Sequence, residues 1–258
     1  MTRIERLPSQ FSRLEITHDD KINVMVHSEN NLNPEDQDYV TEFIRRCFSF
    51  NWDMSRCYAK VSDDVTYRFI KEERLGRLLL APSMWENLVK TQFLTNTHAR
   101  HTTAMAAKFC TGGDPFGEKH VFPTPEQVLA KSVDELEKQT GTGYRAKYIR
   151  SLAEAIASGF DPESLRNPAL SYEDIYEQVR ALRGFGGYSA SYVLKLLGRF
   201  ERISIDIVMR RYFKEITGQQ NATDDDVNAY YERFSEFKGL VAWWEVSRHA
   251  DKKGELSF

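Results

Sequence analysis

Asp206 stands alone as a carboxylate in the run Ile203-Ser204-Ile205-Asp206-Ile207. Aspartate is a favoured N-cap, and a helix opening with Ile207, Val208 and Met209 accounts for it structurally. A cap uses one carboxylate oxygen. The other stays able to face a cavity, where a negative charge stabilises a developing cation or orients a water. A little upstream, the stretch Leu182 to Ser189 reads LRGFGGYS. Gly184 and Gly186 supply the freedom that a tight turn needs. Lacking side chains, they also let main-chain N–H groups approach an anion at the start of the next helix, where Gly187 and Ser189 lie.

Two helices must hold these groups. Ile175, Val179 and Leu182 recur at helical spacing before the glycines, and Ala190, Val193, Leu194 and Leu197 form a second apolar stripe after them. A dinucleotide-binding reading of the glycines fails, because a helix rather than a strand precedes them and Ser189 stands where a third glycine is needed. Near the N-terminus, Leu14 and Ile16, then Ile22, Val24 and Val26, alternate across Asp19 and Asp20, as a small β-hairpin would. From Asn33 onward the chain reads helical. Asn33-Pro34-Glu35 resembles a helix start, and Ser83 with Glu86, Thr124 with Gln127 and Ser132 with Glu135 fit capping boxes. Gly112 and Gly141 sit where helices can end, and Pro123, Pro125, Pro162 and Pro168 mark loops.

The hairpin, the helix after it and Asp206 together resemble the core of the helix-hairpin-helix DNA glycosylase superfamily. So do WENLVKTQFLTNTHARHTTAMAAKF, from Trp85 to Phe109, and GYRAKYIRSLAEAI, from Gly143 to Ile156, in the expected order. The similarity runs from about residue 70 to the end, and is to the branch of 3-methyladenine glycosylase II and 8-oxoguanine glycosylase. It implies a mostly α fold of two helical lobes, with the hairpin and Asp206 lining the cleft between them. The expected division is an N-terminal β segment, residues 1–32, a remnant of a larger β-domain in relatives, and a glycosylase domain, residues 33–258. Its lobes are expected at roughly 75–175 and at 33–74 plus 176–258.

The resemblance also assigns roles. Asp206 matches the family's catalytic aspartate, which faces the positive charge that grows on the sugar as an N-glycosidic bond breaks. Tyr188 occupies the position where bifunctional relatives carry a Schiff-base lysine. A phenol forms no imine, so a monofunctional enzyme is expected. Lys195 lies on the same helical face, roughly 10 Å further on, and is read as a solvated or phosphate-contacting lysine. Asn96 falls where relatives fill the hole left by an extruded base, Tyr144 and Arg145 where they wedge beside its partner, and Arg100 where the oxoguanine type tests that partner. Tyr188, Tyr192, Trp243 and Trp244 are candidates for the base pocket, with at most one tryptophan reaching it. His98, Arg145, Lys195 and Arg210 are candidates for phosphate contact. In relatives the hairpin carbonyls hold a monovalent cation, K+ or Na+, and by position these are the main-chain oxygens of Arg180, Leu182 and Phe185.

Composition is compatible with these roles. A net charge of −3 leaves no global basic field, so contact with DNA must rest on local groups. Cys47, Cys57 and Cys110 suit neither a disulfide framework nor a four-thiolate site. With no cysteine after Cys110, the iron–sulfur cluster of endonuclease III-type relatives is not expected, nor is a catalytic metal. The absence of an apolar signal core and of any apolar run of membrane-spanning length points to a soluble, cytoplasmic protein with no membrane partner, and a monomer is expected. The leading expectation is excision of a damaged purine, alkylated at N3 or N7, from double-stranded DNA. Removal of oxidised or deaminated bases is the alternative, and a catalytically silent hairpin module or a helical interaction protein are the rivals outside it.

Overall fold

The structure is a computed structural model that describes residues 1–253 apart from Asn96 and His98, and of Ala99 and Arg100 the backbone alone. Strands β1 (Thr2–Arg6), β2 (Phe11–His18) and β3 (Ile22–Ser28) come first, then helices α1 (Pro34–Cys47), α2 (Ser55–Val61) and α3 (Phe69–Glu72). Next are α4 (Met84–Leu94), α5 (Ala99–Cys110), the two-residue strands β4 (Pro115–Phe116) and β5 (Lys119–His120), α6 (Pro125–Leu129), α7 (Val133–Thr140) and α8 (Arg145–Ala157). The chain ends with α9 (Tyr172–Ala181), α10 (Gly187–Leu196), α11 (Ile207–Thr217), α12 (Asp224–Tyr231) and α13 (Lys238–Lys252). The mostly α class is as expected. Among the described residues no helix is long and apolar enough to cross a membrane.

The chain forms two compact units, Met1–Cys47 with Ala81–Pro162, and Phe48–Leu80 with Glu163–Phe258. The boundaries differ from the expected ones. Residues 33–47 belong with the first unit rather than with the hairpin, and so does the N-terminal sheet.

In the first unit the sheet is an antiparallel meander in the order β1-β2-β3, with Ile4 opposite Arg13 and Leu14 opposite Val26. This corrects the two-stranded hairpin, because β1 lacks a clear alternation of its own and is recruited by pairing with β2. Ile4, Leu14 and Ile16 turn inward. The Arg3 guanidinium donates to both carboxylate oxygens of Glu86 on α4, at 2.8 and 2.6 Å, and Lys90 adds an ion pair at 2.6 Å. Glu86 is therefore engaged away from its own helix start. Ser83 accepts from the Glu86 N–H at 3.2 Å, but the reciprocal half of the expected capping box is missing. The boxes at Thr124 and Ser132 are complete, and Asn33 caps α1 by accepting the Asp36 N–H at 2.8 Å. Nearly every residue of α4 is buried, as in a helix at the centre of a layered bundle.

The core of the second unit gathers Tyr67, Ile70, Ile203, Phe213, Tyr231 and Val241 with their neighbours. Two devices fix α13 there. A Cβ on Gly239 would meet the Arg202 carbonyl oxygen at 2.1 Å, so only glycine lets α13 lie against the segment leading to Asp206. The buried Glu245 carboxylate accepts from the hydroxyls of Tyr67, at 2.9 Å, and Tyr231, at 2.6 Å. With α13 tied at both places, Trp243 is held in a defined position between them.

Candidate active site

The second unit carries the hairpin and its carboxylate. Helix α9 starts in a full capping box of Ser171 and Asp174, which the sequence reading passed over, and ends at Leu182. Gly184 has φ of +90°, where a side chain would be strained. Gly186, at φ −92°, is exposed and has open space around the place of a Cβ, so no intramolecular packing demands glycine there. The first helical bond of α10 runs from the Ala190 N–H to the Gly186 oxygen at 3.0 Å. The amides of Gly187, Tyr188 and Ser189 precede it and have no acceptor within the helix. Free amides of this kind are what the backbone anion site expected from the glycines requires. The Ser189 side chain is buried, which corrects its expected use toward DNA and leaves only its amide for that purpose. The Phe185 N–H donates to the Leu182 oxygen at 3.1 Å. A carbonyl oxygen has a second lone pair, so the Leu182 oxygen can accept once more, as a cation held by the Arg180, Leu182 and Phe185 oxygens would require.

Asp206 caps α11 as foreseen: its Oδ1 accepts the Met209 N–H at 2.8 Å. The carboxylate also lines a cavity of about 210 Å³ together with Tyr188, Tyr192, Lys195, Met209 and Trp243. Tyr188 and Tyr192, one helical turn apart, have ring centroids 6.2 Å apart and planes within 28°. Burial and the nearby Asp206 charge push the Tyr188 phenol up, which keeps it neutral. Trp243 is the tryptophan that reaches the cavity. Trp244 meets it edge-on at 4.7 Å but packs into the core, and is removed from the pocket set.

Lys195 overturns its expected role. It is 4 % exposed, neither solvated nor placed for phosphate contact, and it lines the cavity. Its Nζ lies 4.7 Å from the Tyr192 ring centroid and 4.6 Å from that of Trp243. Desolvation lowers the amine to about 7, against a partly restoring pull from Asp206. The signal was present in the sequence. Tyr188, Tyr192 and Lys195 share one face at i, i+4 and i+7, in a helix whose other residues are small or apolar.

The first unit holds the residues expected to read the gap in DNA. Tyr144 is 46 % exposed at the start of α8, with its ring edge-on to Tyr148 at 5.9 Å. Arg145 is 7 % exposed and turned inward. Its guanidinium donates to the Gln92 oxygen at 3.1 Å, the Thr142 oxygen at 3.4 Å and the Thr95 oxygen, at the carbonyl end of α4. A cation there answers the helix dipole, and this corrects the expected wedge or phosphate contact. Arg210 is exposed but engaged, with both guanidinium bonds to Asp224 at 2.8 Å. Asn96 and His98 lie outside the described residues, as does the side chain of Arg100.

Comparison with known proteins follows this geometry. The family described as HhH-GPD superfamily base excision DNA repair protein matches residues 89–236. An N-glycosylase/DNA lyase of Saccharomyces cerevisiae is 23% identical over 168 residues, which are 58% of this chain and 44% of that relative. The chain thus spans less than half the length of that relative. Among solved structures, an 8-oxoguanine glycosylase/lyase of Clostridium acetobutylicum, in complex with DNA containing cytosine opposite 8-oxoguanine, superposes with a TM-score of 0.75 at 15% identity. The superposition covers 98% of this chain and 88% of that one. A 3-methyladenine DNA glycosylase of Archaeoglobus fulgidus gives 0.75 at 19% identity, over 99% and 88%. At such identities the likeness is one of fold.

Proposed function

The chain belongs to the HhH-GPD superfamily of base excision DNA repair proteins, and from that premise we propose that it is a DNA glycosylase excising a damaged purine flipped out of double-stranded DNA. The observation that carries this reading is the double engagement of Asp206. One oxygen caps α11 while the carboxylate lines a cavity walled by Tyr188, Tyr192 and Trp243. The cap holds the charge in one orientation, and the cavity gives a flipped base aromatic faces to stack on.

The amides at the start of α10 bind a backbone phosphate beside the extruded nucleotide. The oxygens of Arg180, Leu182 and Phe185 would hold a monovalent cation, whose contribution is added positive charge toward that phosphate. Asp206 stabilises the cationic sugar as the base departs. Tyr144, exposed and aromatic, serves as the wedge that offsets the few kcal/mol of unstacking.

The pocket favours a neutral lesion, oxidised or deaminated, over a methylated one. Aromatic faces attract a cationic base, but one face each of Tyr192 and Trp243 is taken by the Lys195 amine. In its protonated form that amine repels a cationic base. A methylated purine also leaves without much assistance, so a buried amine adds little to its release. The monofunctional expectation rests on Tyr188 and on reading Lys195 as a solvated or phosphate-contacting lysine, and the burial of Lys195 removes the second support.

Duplexes carrying single 8-oxoguanine, hypoxanthine, uracil, 7-methylguanine or 3-methyladenine, incubated with the protein and then treated with alkali, test the reading. Release of 8-oxoguanine or hypoxanthine ahead of the methylated purines supports it. Fastest release of the methylated purines restores the alkylated class, and no release from any duplex removes the glycosylase reading.

A further inference from the structure

The amine of Lys195 has no evident structural task. Among the described residues the charge that acts on it is that of Asp206, with no carboxylate within ion-pair distance. A lysine kept solely for packing would be replaceable by leucine or methionine at lower desolvation cost. What the position supplies instead is an amine walled by aromatic rings in the cavity that also holds a carboxylate. Desolvation in an apolar pocket is one of the ways in which a lysine becomes a nucleophile.

We propose that Lys195 is the amine nucleophile of this site and that it adds strand cleavage to base removal, a task Tyr188 cannot perform. The proposal rests on the glycosylase reading above. Neutral Nζ attacks C1′ of the flipped nucleotide, and the C1′–N bond breaks with its electron pair going to the base. The proton shed by the new C–N bond passes through Asp206 to the departing base. Breaking of the C1′–O4′ bond, with O4′ taking a proton from water, opens the sugar ring and leaves a protonated imine between Lys195 and C1′. Asp206 then takes a proton from C2′, and the C3′–O bond breaks to expel the 3′ phosphate. Water hydrolyses the imine, freeing the lysine and leaving an unsaturated aldehyde on one strand end and a phosphate on the other. The amine's depressed proton affinity supports this use, since about half of it is unprotonated near pH 7. The titratable groups that face it are Asp206, Tyr188 and Tyr192; the remaining cavity wall is uncharged.

The experiment is borohydride trapping of the whole chain on two duplexes, one bearing 8-oxoguanine and one a preformed abasic site, followed by peptide mapping of any adduct. The expected result is an adduct on Lys195, and strand cleavage without alkali whose single-turnover rate rises with pH through about 7. Lys195→Met is expected to lose the adduct and to release base at least ~10²-fold more slowly. Mapping of the wild-type adduct keeps the test decisive even where that variant misfolds. Base release with no adduct, or an adduct on another lysine, overturns the proposal while the glycosylase reading stands. Absence of base release from every lesion duplex overturns both.

Discussion

At the scale of single residues, the site separates groups that hold structure from groups that face substrate. Asp206 does both, and Asp206→Asn distinguishes them. Asparagine caps a helix about as well as aspartate, so the Met209 N–H keeps its acceptor and stability changes by less than ~0.5 kcal/mol. Base release in single turnover should fall at least ~10²-fold, because the charge that faces the sugar is gone. A variant that melts normally and still releases base at the wild-type rate removes Asp206 from the mechanism. Tyr144 and Arg145, neighbours in sequence, should part company. Arg145→Ala removes the guanidinium bonds to the carbonyls of Gln92, Thr95 and Thr142, of which those of Gln92 and Thr142 keep a backbone N–H donor, at a cost of about 1–3 kcal/mol read from a urea midpoint. Tyr144→Ala should leave that midpoint within ~0.5 kcal/mol of wild type and weaken affinity for a duplex containing an abasic site. Equal destabilisation by the two would mean that Tyr144 is structural as well.

The hairpin between α9 and α10 is an element in which Gly184 and Gly186 serve different ends. Gly184 is needed by the chain itself, at φ of +90°. Gly186 is exposed and would accommodate a Cβ without collision. Gly184→Val should cost about 1–3 kcal/mol of stability through backbone strain. Gly186→Val should fold normally yet bind duplex DNA more weakly, damaged or not, because the added side chain stands where a phosphate approaches the α10 amides. Fluorescence-polarisation titrations at fixed salt measure this, and an unchanged affinity in the folded Gly186 variant makes the hairpin a plain turn. The same element explains Lys195. Helix α10 is buried on nearly every side, so a lysine on it either pairs with a carboxylate or comes to rest in a cavity. Here it comes to rest in a cavity.

For the molecule as a whole, the N-terminal sheet is bound to the first unit by a buried charge cluster. Burial alone would push the Glu86 carboxyl up, but Arg3 and Lys90 outweigh it and hold it below its ordinary value of 4.5. A carboxylate depressed in the folded state contributes stability that is present above that ordinary value and is lost as pH falls through the folded one. The protein should therefore lose stability on acidification below about pH 4.5. Glu86→Gln should be less stable at pH 7 by about 1–3 kcal/mol, since Arg3 and Lys90 lose its charge and Arg3 keeps only Glu5, and should show a shallower acid transition. Guanidinium titrations of both proteins from pH 7 to pH 3 measure this. Equal slopes for the two would mean that the cluster's charge is not what ties the sheet down.

Much of this protein was legible in its sequence because the signals were local. The capping boxes at Thr124 and Ser132, the N-cap at Asp206 and the glycine of the hairpin each depend on residues within one turn of one another, and each forms as read. The strands β2 and β3 announced themselves by alternation, whereas β1 has no such pattern and exists because β2 offers it a partner. The failures share a cause. Arg145, Ser189 and Trp244 have types that are equally at home facing solvent, DNA or an interior, and nothing within a few residues selects among them, while for Lys195 the face shared with Tyr188 and Tyr192 marks aromatic company but not burial. Their directions are set by packing between helices distant in sequence: Arg145 by the carbonyl end of α4, and Lys195 by Trp243 on α13. The carboxylate and the turn were determined by sequence, but the amine joined them only when tertiary packing closed the cavity around it, because burial is a property of the assembled neighbours and not of the chain.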